Sequence, residues 1–239
     1  MTEPVAPTSR PAGAPRRGRP PKAQAQLSRG AIQAAALTVI DADGIAGVGM
    51  RSVSRVLGVD AKSLYHHVES KDDLLDAVAE HLLAQLRIPR PTDSIEHDLR
   101  AMAHEFRRVT LAHPEAATLV LTRQLSSLTG LAPIESILAV LRRTGREPRA
   151  AVHLLRTVMA TLVGTLLREV SAGPTFGTTD PDGIAERERT LRNSGLPEVA
   201  AAAGQLARFD REREFEYTLE LIVDIALSRP VRARSAGTE

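Results

Sequence analysis

Residues 50–68, with the sequence MRSVSRVLGVDAKSLYHHV, contain the pattern that decides the fold. The first half has apolar residues at three- and four-residue spacing, which share one face of a short helix: Val53, Val56 and Leu57. Gly58-Val59-Asp60 predicts a tight turn, and Leu64 and Val68 beyond it would close a small core between two helices. The stretch therefore predicts a helix-turn-helix, although an ordinary helical hairpin would show the same apolar pattern.

The polar face of the second predicted helix favours the first interpretation. Asp60 is a typical N-cap for that helix. The outward positions carry hydrogen-bond donors: Lys62, Ser63, Tyr65, His66 and His67. Donors of this kind suit a DNA groove lined by phosphates and base edges.

The flanking sequence carries a resemblance to a known family. Its elements are Ala34-Ala35-Ala36-Leu37, Asp43-Gly44-Ile45, Ser63-Leu64-Tyr65-His66-His67-Val68 and Lys71-Asp72-Asp73-Leu74-Leu75. Together they make residues 27–83 resemble the DNA-binding domain of the tetracycline repressor (TetR) family of bacterial regulators. The segment FEYTLELIVDIAL, residues 215–227, resembles more weakly the last, dimer-forming helix of that family.

The resemblance implies an all-α protein, in which an N-terminal three-helix helix-turn-helix domain precedes a helical ligand-binding and dimerisation domain. It also implies a set of side chains that contact operator DNA: Arg51 and Ser52 on the second helix, Lys62, Ser63, Tyr65, His66 and His67 on the third, and Lys71 at a phosphate. Arg51 and Lys62 are the best candidates for base contacts, because cationic side chains pair with guanine acceptors. The implied partners are double-stranded operator DNA, a small-molecule effector and a second copy of the chain.

Length and composition exclude several other classes. A chain of 239 residues is long enough for two domains, and it has no cysteine for disulfides or thiolate metal sites. The apolar run 158–167 ends at Arg168 and is shorter than the roughly 20 residues that cross a bilayer. No apolar segment follows the basic N-terminus as it would in a secretory signal. We expect a cytoplasmic protein without a membrane partner.

Positive charge is concentrated near the N-terminus. Residues 1–71 hold ten Lys and Arg against five Asp and Glu, whereas residues 72–239 hold twenty-one against twenty-four. A localised positive field favours binding to a polyanion and makes the affinity fall with salt. An anionic membrane surface would attract the same charge, but it would need a long exposed apolar face.

The chain divides into four predicted segments. They are a disordered basic arm (1–26), the helix-turn-helix domain (27–73), the effector-binding and dimerisation domain (74–230) and a disordered tail (231–239). The arm contains PRRGRPPK at residues 15–22, and its cations could lie in the minor groove beside the operator. A solvated arm with no specific role is the alternative.

Apolar residues recur at helical spacing along most of the chain. The predicted helices run from Ser28 to near Gly44, with the second and third helices in 50–68, and then over 71–86, 94–112, 114–122, 131–144, 148–172 and 208–228. Residues 173–195 contain Gly and Pro and predict a long loop. The helices at 148–172 and 215–227 are so apolar that they must be core helices or pair with a second subunit.

The second domain is expected to hold an effector pocket. Its predicted lining is apolar, which suits a hydrophobic or weakly polar molecule: Met102, Phe106, Val158, Ala160 and Leu162. A filled core without a ligand is the alternative. Met102 stands where the tetracycline-binding members have a drug-contacting Asn, so tetracycline is not the expected effector.

Catalytic motifs are missing from the sequence. It has no Gly-rich phosphate loop, no H-E-x-x-H, no G-x-S-x-G and no cysteine nucleophile, so we expect neither an enzyme nor a bound cofactor or metal. The sequence predicts a homodimeric repressor that binds a palindromic operator and is released by a small apolar effector. A ligand-binding or scaffolding helical dimer with nonspecific DNA contacts is the alternative.

Overall fold

The computed structural model describes residues 27–123, 128–170 and 177–228. These residues form α-helices and no strand, with one isolated bridge between Thr178 and Arg208, which confirms the all-α prediction. The helices are α1 Arg29–Gly47, α2 Met50–Leu57, α3 Ala61–Leu64, α4 Lys71–Leu83, α5 Ile95–Ala112, α6 Pro114–Thr122, α7 Leu128–Arg142, α8 Pro148–Val170, α9 Pro181–Arg192, α10 Pro197–Ala201, α11 Ala203–Ala207 and α12 Arg211–Leu227. The predicted arm and tail lie outside the described residues.

Three predicted helix starts are confirmed by side-chain caps. Ser28 Oγ accepts a hydrogen bond from the Ala31 N–H, Asp60 from the Lys62 N–H and Ser70 from the Asp73 N–H. Each cap satisfies a backbone donor that the first helical turn leaves without a partner.

The predicted end of the first helix at Gly44 is confirmed, whereas the predicted end of α4 was wrong. Gly44 has φ +70° and ψ 175°, outside the helical range, so the helix breaks there and residues 45–47 form a separate helical turn within α1. A positive φ is easy for glycine, which makes it a common residue at the end of a helix. The fourth helix ends at Leu83, three residues earlier than expected, and residues 85 and 86 continue in turn-type hydrogen bonds.

The helix-turn-helix and the start of the second domain share one apolar core. It combines residues of α1, α2, α3 and α4 with four residues of α5 and α6: Val109, Ala116, Leu119 and Val120. Val53, Leu64 and Val68 are fully buried in it, as the sequence pattern predicts. Helices α1 and α4 therefore both pack against α6, so the two domains are in contact through more than the chain that joins them.

The predicted common face of α2 was partly wrong. Val53 is fully buried and Leu57 half-buried, but Val56 is 51% exposed. The buried arc of α2 is centred on Val53 and Ser54. Since successive residues of a helix are about 100° apart, Leu57 points close to the centre of that arc, whereas Val56 points roughly 110° away from it.

A second core holds the rest of the molecule together. It is built from α5, α6, α7, α8 and α12. Arg146 is buried and fixes the end of α12, because its guanidinium donates to the backbone oxygens of Ala226 and Ser228 at 2.6 Å. These are carbonyls that the last turn of a helix leaves without an internal partner.

Helix α8 is longer than the apolar run 158–167 that the sequence analysis compared with a membrane span. Among the described residues it is the one helix long and apolar enough to cross a membrane, with a mean hydropathy of 1.6. It packs against α12, α7, α6 and α5, as a core helix does. One third of its most apolar window is buried within this chain.

Residues 173–195 are not a continuous loop, so that prediction was wrong. Helix α9 occupies Pro181–Arg192, with the Asp180 side chain as its N-cap and Pro181 in its first turn. Proline at that position loses no hydrogen bond, so a sequence that resembles a turn also starts a helix. Helices α10 and α11 follow and pack mainly on α9.

Candidate DNA-contacting face and effector cavity

The turn between α2 and α3 sets the orientation of residues 61–68, which we call the recognition segment. Gly58 ends α2 with φ +67°, a left-handed conformation in which a residue with a side chain would be strained. Leu64 and Val68 anchor the following segment in the core. Five of the predicted DNA-contacting side chains are exposed: Arg51, Lys62, Tyr65, His66 and Lys71.

The other predicted contacts are less free. Ser63 and His67 are half-buried. Ser52 Oγ accepts a hydrogen bond from the Gly49 N–H, and its one proton lies within reach of the backbone oxygens of both Gly47 and Gly49, at 2.9 Å in each case. Gly49 has no side chain to cap α2, so Ser52 closes this turn from inside the helix. The contact of all these positions with DNA stays a prediction.

Lys71 lies at the start of α4, beside the recognition segment. Its Nζ is 3.4 Å from the backbone oxygen of Ala46 at the end of α1, and the side chain is exposed. Arg55, in the last turn of α2, is also exposed and was missed by the sequence reasoning. A cation one turn after Arg51 on the same short helix was the available signal.

The positive charge of this face comes from the position of its cations. Residues 27–73 contain five Lys and Arg against six Asp and Glu. Two of these acids have partners outside α2 and α3: Asp73 pairs with Arg29 at 3.4 Å, and an Asp41 carboxylate oxygen lies 2.9 Å from His113 Nδ1. Within the described part of the chain, Arg51, Arg55 and Lys62 form no ion pair.

A cavity of about 460 Å³ lies in the second domain. All five predicted effector residues line it: Met102, Phe106, Val158, Ala160 and Leu162. The sequence reasoning missed the walls that come from the end of α4, from the segment after it and from α7, which include Leu83, Leu86, Ile134 and Ile137. No local pattern shows that these distant helices meet here. The binding of an effector in this cavity stays a prediction.

Two charged residues line the otherwise apolar cavity. Glu105 accepts hydrogen bonds from the Arg108 side chain and from the Arg87 N–H, and the bond from Arg108 contributes most to lowering the pKa of its carboxyl. Arg123, just after α6, pairs with Asp76 and with Asp72 Oδ1, the latter at 2.9 Å. Hydrogen bonding to these carboxylates, chiefly Asp76, raises the pKa of the Arg123 guanidinium.

Arg123 and His113 connect the cavity domain to the DNA-binding domain at the two ends of α6. His113 contacts Asp41 of α1, and Arg123 contacts two carboxylates of α4. His81 of α4 is half-buried, and burial together with the nearby His113 lowers its pKa. Among the described residues no cluster of three His, Asp or Glu side chains could hold a metal ion.

A helix-turn-helix with exposed cations, packed onto a helical domain with an apolar cavity, defines a one-chain transcription regulator. The model of bacterial regulatory proteins of the tetR family matches residues 24–78, and that of the tetracyclin repressor-like C-terminal domain matches residues 88–224. The chain belongs to the tetracycline repressor (TetR) family of transcriptional regulators. Regulators of this family bind DNA and are not enzymes.

Several known proteins are similar to this chain. An HTH-type transcriptional regulator of Saccharopolyspora erythraea is 38% identical over 120 residues, and the match spans 50% of this chain and 51% of that protein. The class A tetracycline repressor from transposon 1721 of Escherichia coli is 29% identical, over 88% of this chain and 95% of the repressor. The crystal structure of Streptomyces coelicolor ActR with actinorhodin has a TM-score of 0.75 at 26% identity, covering 85% of this chain and 98% of ActR.

Proposed function

We propose that this regulator is a homodimeric repressor that binds a palindromic operator and is released by a small, largely apolar effector. One observation carries the proposal: the wall of the apolar cavity includes the end of α4, the helix that directly follows the recognition segment. Solved ActR holds actinorhodin, and the similar Escherichia coli protein is named as a tetracycline repressor. Both names support a ligand-responsive repressor.

The surfaces of α8 and α12 support a dimer. Tyr217, Leu221 and Ile225 recur every four residues on α12, and each is 40–59% exposed. The exposed side of α8 carries small residues, among them Thr157, Ala160 and Gly164. Large apolar side chains on one helix and small ones on the next allow close packing between two copies. A two-fold dimer presents two recognition segments to two half-sites.

Release would follow from a difference in effector affinity between two conformations. An effector shifts the dimer away from DNA only by as much as it binds the non-operator conformation more tightly, typically about 1–3 kcal/mol. The cavity reaches the end of α4 through Leu83, and its lining residue Arg123 contacts Asp72 and Asp76 near the start of that helix. A change in cavity shape can thereby alter the spacing of the two recognition segments.

The first test is a titration of the full chain against labelled DNA from upstream of its own gene and against a scrambled control, at two salt concentrations. A preference of about 10³ or more for the native fragment would support a specific regulator of neighbouring genes. Equal and salt-sensitive binding to both fragments would contradict it and favour a ligand-binding or scaffolding dimer with nonspecific DNA contacts. The preferred fragment then serves to screen apolar effectors for release.

The two lysines of the DNA-contacting face should differ in role. We expect Lys62→Ala to lower operator affinity by about 1–3 kcal/mol and to relax the preference at one base pair, since Lys62 is exposed on the recognition helix. Lys71→Ala should weaken operator and random DNA alike and reduce the salt dependence by about one charge, as loss of a phosphate contact does. Titration of both variants on operators with single base changes measures the difference. Equal losses on operator and random DNA for both variants would refute this assignment.

A further inference from the structure

The two charged residues that line the cavity, Glu105 and Arg123, differ in how readily a bound molecule could replace their present partners. Glu105 already accepts three hydrogen bonds, from Arg108 and from the Arg87 N–H, at 2.6–2.8 Å. A carboxylate has about four acceptor positions, so little of Glu105 remains for a bound molecule. Among the described residues that line the cavity, Arg123 is the one cation.

The carboxylates that Arg123 contacts lie outside the cavity, with Asp72 exposed and Asp76 half-buried. The Arg123 side chain is 23% exposed, whereas that of Asp76 is 44% exposed and that of Asp72 is 85% exposed. Ion pairs to exposed carboxylates are weak, because water stabilises the separated charges. An anion inside an apolar cavity has lost that water and depends on a charged hydrogen-bond donor. A cavity-bound anion can therefore outcompete Asp72 and Asp76.

We propose that the effector is an apolar molecule with one anionic group, and that Arg123 binds this group. Binding of that group takes the guanidinium from Asp72 and Asp76 and so releases the end of α6 from the start of α4. This inference rests on the proposed function and adds to it a ligand class and a specificity-determining residue. Helix α4 begins three residues after Val68, so the release acts directly beside the recognition segment.

Two fluorescent probes with the same ring skeleton test the proposal. One is 1-anilinonaphthalene-8-sulfonate, which is anionic, and the other is N-phenyl-1-naphthylamine, which is neutral. We expect Arg123→Gln in the full chain to weaken binding of the sulfonate by about tenfold or more, the effect of losing a charge-assisted hydrogen bond. Binding of the neutral probe should stay within about twofold. Arg149→Gln is the matched control, since it removes an exposed cation of α8 that does not line the cavity.

A second variant predicts a change in the opposite direction. Asp72→Asn/Asp76→Asn removes the groups that compete for Arg123, so it should tighten binding of the sulfonate and leave the neutral probe unchanged. Filling the cavity with Ile137→Trp should weaken both probes, which locates them there. Near-native circular dichroism and gel-filtration profiles establish that each variant is folded.

Several outcomes would overturn the inference. These are equal losses of both probes in Arg123→Gln, unchanged sulfonate binding in both charge variants, or probe binding that ignores Ile137→Trp. If both probes release operator DNA equally well, the proposed role of Arg123 is refuted, while the proposed function stands. Failure of the proposed function is a separate result, because it shows as absence of operator preference before any probe is added.

Discussion

Leu221→Glu/Ile225→Glu should convert the dimer into a monomer and lower operator affinity by about 10³-fold or more, towards nonspecific binding. Both side chains are partly exposed on α12, at 40% and 43%. In the proposed dimer they are covered by the second copy, and a buried, unpaired carboxylate there is strongly unfavourable. A monomer reads one half-site and loses the contribution of the other. Sedimentation and operator titration at the same protomer concentration measure the two effects.

Leu196→Glu is the control for the dimer variant. Leu196 is 58% exposed but precedes α10 and is not part of α12, so the same substitution should leave both assembly and operator binding unchanged. A variant of α12 that stays dimeric, or a monomer that keeps the full operator preference, would contradict the proposed interface.

Arg107→Met should lower the stability of the protein by about 3–5 kcal/mol. Arg107 donates to both carboxylate oxygens of Glu169, with a closest distance of 2.6 Å, and the Glu169 side chain is only 4% exposed. Removal of the guanidinium leaves that carboxylate buried without a cation. It also removes a cation–π contact, because the Arg107 guanidinium lies 4.5 Å from the centre of the Phe215 ring.

Thermal unfolding at a fixed protomer concentration measures this loss as a fall in Tm of roughly 10 °C. The double variant Arg107→Met/Glu169→Leu should recover most of it, since the orphaned carboxylate is gone. Arg100→Met is the matched control, because Arg100 lies on the same helix and pairs with exposed carboxylates, Glu96 at 3.0 Å and Glu216 at 3.5 Å. If the single and double variants unfolded at the same temperature, the buried ion pair would not be the cause.

Local patterns predicted the helices and most of their starts. A capping side chain and the N–H that donates to it are two or three residues apart. The starts of α1, α3 and α4 could therefore be predicted from the local sequence. Residues 181–192 were missed because Pro and Gly in the first turn of α9 resemble a loop. Val56 was misplaced because a helix of eight residues has few positions to define its buried arc.

Contacts between distant segments could not be predicted in this way. Arg107 and Glu169 are 62 residues apart, and Arg123 meets Asp72 across 51. The five predicted cavity residues lie on α5 and α8, where helical periodicity and the family resemblance both apply. The α4 and α7 walls depend on how whole helices pack, which no pattern within one helix specifies.

Helices α1 to α4 share one core with α5 and α6. This shared core limits the exchange of DNA-binding domains between related proteins. A chimera joined at residue 73 would bring a foreign α4 and α6 against Ile32, Ile40 and Leu64, all fully buried here. A junction after α4 keeps α4 together with its own α1, α2 and α3. Ala116 and Leu119 of α6 would still have to pack against the new DNA-binding domain. New operator specificity is therefore more accessible by substitutions at the exposed positions of α2 and α3 than by recombination of whole domains.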